Sequence, residues 1–176
     1  MSHQAPDGPS IAVIIGRIAA DLAGSDSGRL AELRRLQPEE PGGSAFWRIV
    51  VTQLEPAGYV PGGGEAREDA LTRWAVILRA LATLEHRAGG TRFGKVLAEA
   101  GISELRLNRF LRTSGDALFS HVRTVTHQLA THAQPADLTA LALLVLSDGK
   151  PNEQAVRQGI ANDYYQQVFA AERETV

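Results

Sequence analysis

Cysteine is absent from the 176 residues, which excludes disulfides, thiolate zinc sites and cysteine nucleophiles. Long apolar runs are missing as well, since no stretch reaches the roughly 18 residues that a membrane-spanning helix needs. The first ten residues carry Asp7 but no Lys or Arg, and so lack the charged start of a secretory signal. Lysine is scarce: of 18 basic residues only Lys95 and Lys150 are Lys. What is present is a hydrophobic share of 44 %, enough to bury a core and exclude wholesale disorder. The reading is a soluble, cytoplasmic protein of one domain or two small ones.

The net charge of −2 hides an uneven distribution. Residues 1–85 hold 8 Arg against 11 acids, net −3. Residues 86–135 hold 6 Arg and Lys95 against 3 acids, net +4. Residues 136–176 hold 3 basic residues against 6 acids, net −3. A basic middle between acidic ends can form a local patch that neutralises phosphates, whatever the total. Arginine adds a planar fork that bridges phosphate oxygens. A GC-rich coding bias explains the same surplus of Arg, which runs over the whole chain.

Apolar spacing is helical nearly everywhere. Ile11, Ile14, Ile15, Ile18 and Leu22 mark one buried helix face, with Ser10 as N-cap. Ser27 is expected to cap a short second helix striped by Leu30, Leu33 and Leu36 and stopped by Pro38. Ser44 opens a third, with Phe46, Trp47, Val50 and Leu54 inward. The Gly58–Glu65 stretch is a loop and the best candidate for disorder. A long helix from Ala66 to Arg87 follows, terminated by Gly89-Gly90. Shorter helices then carry Phe93, Val96 and Leu97; Leu107, Phe110 and Leu111; Leu118, Val122 and Leu129; Leu138, Leu141 and Leu144; and Ile160, Tyr164 and Val168. No strand of useful length and no repeat appears. The expected fold is all-α, two small bundles of eight or nine helices packed together. The boundary is expected in the glycine-rich loop, giving an N-terminal unit of residues 1–60 and a C-terminal bundle of residues 65–176, which could share one core.

The strongest constellation is Arg106, Arg109 and Arg112. Positions three apart lie about 60° from one another round a helix, so the three guanidiniums fan over a band about 120° wide, opposite Leu107 and Phe110. Such a face binds phosphate, and in isolation it also reads as an ordinary solvated surface. Arg92, Lys95 and Arg123 lie nearby in sequence, and Arg29, Arg34 and Arg35 form a second cluster. Signals for an enzyme are weak. Gly62-Gly63-Gly64 is followed by Glu65 and Gly94-Lys95 by Val96, so neither is a P-loop. His121, His127 and His132 are spaced six and five apart, off the three-or-four spacing of helical zinc ligands. No catalytic residue, metal, cofactor or small-molecule substrate is expected. Tyr59, Tyr164 and Tyr165 could stack on bases, whereas Trp47 and Trp74 fall on apolar stripes and read as core.

Three ordered segments resemble the CasB family, the small subunit of the type I-E CRISPR surveillance complex Cascade. They are Leu33-Arg34-Arg35 leading to Ala45-Phe46-Trp47; Phe93-Gly94-Lys95-Val96-Leu97-Ala98 leading through Ser103-Glu104-Leu105-Arg106 and Arg109-Phe110-Leu111-Arg112 to Val122-Arg123; and Pro135-Ala136-Asp137 leading to Val156-Arg157 and Ala161-Asn162-Asp163-Tyr164-Tyr165. The resemblance implies a non-catalytic antiviral subunit of two helical bundles, partnered by the other Cascade subunits and a second copy of itself. Its basic residues would steady the guide RNA–target DNA heteroduplex and hold the displaced strand. Carried over by position, these are Arg34, Arg35, Lys95, Arg106, Arg112 and Arg123, to which the helical band adds Arg109. A helical protein–protein adaptor, a small enzyme with a spatially assembled site, and a helix-turn-helix regulator hinted at by Asn108 are the competing readings.

Overall fold

In this computed structural model, which describes residues 8–132 and 134–174, helical spacing governs nearly all regular structure, and the class is all-α as expected. Asp7 and the start of the chain lie outside the described residues. The chain divides between Thr83 and Leu84 into two compact units. The glycine-rich loop therefore lies inside the first unit, some twenty residues before the division.

The first unit opens with α1 (Ile11–Ala23), which buries Ile14, Ile15, Ile18 and Leu22 as the spacing predicts. Ser10 stands at its N-cap position without a side-chain capping bond. Helix α2 (Ser27–Arg34) is capped by Asp26 rather than by Ser27, its Oδ1 accepting the Arg29 N–H at 2.8 Å. Asp21 ties α1 to α2 through Arg29, whose Nη1 donates to Oδ1 at 3.1 Å. That hydrogen bond outweighs partial burial and holds the Asp21 carboxyl below its usual range.

Helix α3 (Ser44–Ile49) runs on into a π-helical turn, Val50–Leu54. Gly43 precedes α3 and has no side chain to cap it, so α2 supplies the cap. Glu32 Oε1 accepts the Ala45 N–H at 2.9 Å, and Oε2 accepts from Ser44 Oγ at 3.3 Å. Phe46 and Trp47 are adjacent, about 100° apart on a helix, and their rings meet edge to face with centroids 5.3 Å apart. The structure buries Phe46 with Ile49, Val50 and Leu54 and leaves Trp47 40 % exposed, against the expectation that both point inward.

Helix α4 (Gly64–Thr83) buries Leu71, Trp74, Ile77, Leu78 and Leu81. It belongs with the first unit because α2 is bonded to it. Arg34 Nε donates to the Ala82 carbonyl at 2.7 Å, and Arg79 Nη1 to the Leu36 carbonyl at 2.9 Å.

The second unit begins with a strand where the sequence predicts the end of a helix. β1 (His86–Arg92) pairs in parallel with β2 (Ala136–Asp137), Ala136 facing both His86 and Thr91 across a bulge. No alternation of apolar residues announces β1, because side-chain to backbone bonds between it and the β2 segment hold it. Asp137 accepts the Gly89 N–H at 3.2 Å, and His86 Nδ1 accepts the Leu138 N–H at 3.1 Å. Four helices, α5 (Phe93–Glu99), α6 (Glu104–Arg112), α7 (Gly115–Ala130) and α8 (Thr139–Ser147), lead to the long α9 (Glu153–Glu174). Gly94 lets α5 press on α9: a Cβ there would run into the Ile160 carbonyl oxygen and stand 2.8 Å from Asp163 Cβ.

Candidate nucleic-acid interface

Helix α6 forms where the sequence places it, capped by Ser103, whose Oγ accepts the Arg106 N–H at 3.4 Å. Leu107 and Phe110 are buried, Phe110 meeting Phe93 edge to face at 6.4 Å, which leaves Arg106, Arg109 and Arg112 exposed. Two contacts fix its direction. Tyr165 Oη donates to Glu104 Oε2 at 3.4 Å, and Arg157 Nη1 donates to the Leu111 carbonyl. An early residue of α6 thus meets a late residue of α9 and the reverse, so the two helices run antiparallel.

The far end of α6 rests on a buried ion network. Arg157 Nη2 pairs with Asp148 Oδ1 at 3.0 Å and with Glu153 Oε1 at 2.7 Å. The other oxygen of Asp148 accepts the Gly115 N–H, first residue of α7, at 2.7 Å. Arg157 and Asp148 therefore bind both sides of the α6–α7 turn. In sequence the only sign of this network is the i, i+4 spacing of Glu153 and Arg157.

Six arginines are paired with carboxylates, and the candidate cations are not. Arg29, Arg67, Arg73, Arg87, Arg92 and Arg157 each pair with a carboxylate within 4.0 Å. Among the described residues, none of Arg34, Arg35, Lys95, Arg106, Arg109, Arg112 and Arg123 makes an ion pair. Arg34 and Arg35 sit exposed at the end of α2 in the first unit, Arg34 with its Nε held by Ala82. In the second unit Lys95 is half-buried on α5 and Arg123 exposed on α7. One helix unites Arg106, Arg109 and Arg112; the other four come from three further helix segments.

Other candidate chemistry disperses. Among the described residues no three His, Asp or Glu are grouped to hold a metal ion. His121 and His132 bond locally, their Nδ1 atoms 3.2 Å from the Thr113 and Thr131 hydroxyls. Tyr164 is buried and donates to the Ile102 carbonyl at 2.6 Å, while Tyr165 beside it is half-buried. No described helix is long and apolar enough to cross a membrane.

The model of the CRISPR-associated protein Cse2 family matches residues 29–165, a span that includes every unpaired cation named above. Among solved structures, a chain in the crystal structure of E. coli Cascade bound to a PAM-containing dsDNA target (32-nt spacer) is similar. Its TM-score is 0.61 and its identity 25 %, over 86 % of this chain and 94 % of that one. A comparison with curated proteins gives no match. With the ordered motifs, the helical units and the family match in agreement, the chain belongs to the Cse2 family of CRISPR-associated proteins, the CasB small subunits of type I-E Cascade.

Proposed function

We propose that this chain is a non-catalytic, nucleic-acid-holding subunit of its Cascade assembly, steadying the guide RNA–target DNA heteroduplex and the displaced strand by contacts to phosphate. The observation that carries this reading is the exposed, unpaired state of Arg106, Arg109 and Arg112 in a chain where six other arginines are neutralised by carboxylates. Arg34, Arg35, Lys95 and Arg123 supply further contacts. Exchange of a DNA duplex for a heteroduplex is nearly balanced in free energy, so modest backbone contacts tip it without reading sequence. Partners are the other Cascade subunits and a second copy of this chain.

The test is a salt titration of single-strand binding. Three phosphate contacts at about 0.7 counterions each give a log–log slope of about −2. Replacing Arg106, Arg109 and Arg112 together by Ala should weaken binding and flatten the slope by about 2 units. An unchanged slope with intact binding excludes α6 as the contact. A protein-adaptor reading is favoured by one observation, the outward Trp47 and Val51, 40 % and 55 % exposed one turn apart. It predicts that naked-strand binding survives the triple change while assembly with partner subunits is lost.

A further inference from the structure

The antiparallel contact of α6 with α9 fixes what their outer seam displays. Round α6, Asn108, Arg112 and Arg109 lie about 40°, 80° and 140° from Glu104, on the side away from Leu107 and Phe110. Round α9, Gln158 and Phe169 lie within about 60° of Tyr165, also on the outer side. Both residues are exposed, Phe169 by 48 %. Because the helices are antiparallel, these two arcs adjoin and make one strip. At one end Tyr165 and Phe169 stack, ring planes 24° apart and centroids at 5.8 Å. Toward the other end, about 12 Å along α6, stands Arg112, with Arg109 beside it and exposed amides between.

We propose that this α6–α9 seam is a single-strand track in which the Tyr165–Phe169 pair stacks on unpaired bases while Arg109 and Arg112 hold the adjoining phosphates. The inference rests on the nucleic-acid reading above and adds selectivity for unpaired bases to it. Three features choose this occupant over an apolar protein segment. The rings lie nearly parallel and present a flat face, as a base requires. Glu104 holds the Tyr165 hydroxyl and puts an acid at the aromatic end, which turns phosphate away from the rings. The cations opposite are unpaired, so a polyanion complements the strip along its length. Inside a duplex the bases are stacked on one another and have no free face for the rings.

The experiment compares an oligothymidine strand, an abasic strand of the same length and a duplex, each titrated with the full chain. Phe169→Leu, and Tyr165→Leu with Phe169→Leu, keep apolar volume while removing the ring faces; Phe169 is exposed, so the single variant keeps its fold. The expected result is a loss of about tenfold for oligothymidine, within what one stacked base contributes, with abasic and duplex affinities unchanged. Phe169→Trp should recover or tighten the oligothymidine affinity. An equal loss on all three probes, or none on oligothymidine, overturns the stacking proposal while leaving the phosphate reading intact. Loss of assembly into Cascade with oligothymidine binding unchanged assigns the face to a protein partner and also overturns it. A wild-type chain that binds none of the three probes defeats the nucleic-acid reading, and the track with it.

Discussion

Gly94 shows how much one missing methyl group decides. It sits where α5 crosses α9, with the Ile160 carbonyl and the Tyr164 amide on the far side of the contact. Those obstacles are backbone and cannot rotate away, so Gly94→Ala forces the helices apart. Overpacking of this kind costs about 1–3 kcal/mol, and the variant should show a lower urea midpoint with little change in helix content. The requirement was not legible in the sequence, where Gly94-Lys95 resembles a failed P-loop and nothing marks a helix crossing. Trp47 erred in the opposite direction. Its place on an apolar stripe suggested burial, but Phe46 beside it takes the core position and Trp47 packs against that ring edge to face with its outer side exposed.

At the level of the element, helix positions were legible and their ends less so. Amphipathic periodicity located α1, α6, α7 and α9 because each buries one face against its own unit. The ends depend on partners distant in sequence, as α3 shows. Its cap is Glu32, twelve and thirteen residues before the groups it accepts from. Glu32→Ala removes that acceptor and should cost about 1 kcal/mol, with the loss seen by thermal melting. Gly43→Ser offers a local cap in principle. It cannot replace Glu32, because its φ of +92° suits glycine and an added Cβ would strike the Glu32 carboxylate. Strand β1 escaped notice for the same reason: Asp137 and His86 organise it across some fifty residues of sequence.

Across the whole molecule, charge is the quantity that sequence and structure share. The basic middle segment was legible by counting. Which of its cations are neutralised was not, because ion pairs such as Arg92–Asp163 join residues 71 apart. Charge also sets the response to pH. His86 accepts a backbone N–H on Nδ1 and is partly buried, and burial pushes its pKa below the ordinary value although Asp137 pulls the other way. For Asp137, burial alone would raise the pKa, but hydrogen bonds from Thr139 and Gly89 outweigh it and lower it. The unfolded chain therefore takes up protons at His86 that the folded chain resists. The stabilisation is complete above about pH 6.5 and falls as pH drops through that value toward the folded pKa. Asp137 adds a further loss only below about pH 4. Urea midpoints of the wild-type chain should fall between pH 7.5 and pH 5.5, and those of His86→Asn should fall less. Equal falls in the two would remove His86 as the cause.

The turn between α6 and α7 carries one more consequence. The last turn of a short exposed helix ordinarily frays, its carbonyls exchanging partners with water. Here the Leu111 carbonyl and the Gly115 amide are both bonded to members of the buried Arg157–Asp148 pair, so fraying would require that pair to open. The Gly115 amide should exchange with solvent as slowly as those of the core. A strand held at Arg109 and Arg112 as proposed would meet a backbone that is already ordered, and the entropy lost on binding would be confined to side chains and to the strand itself.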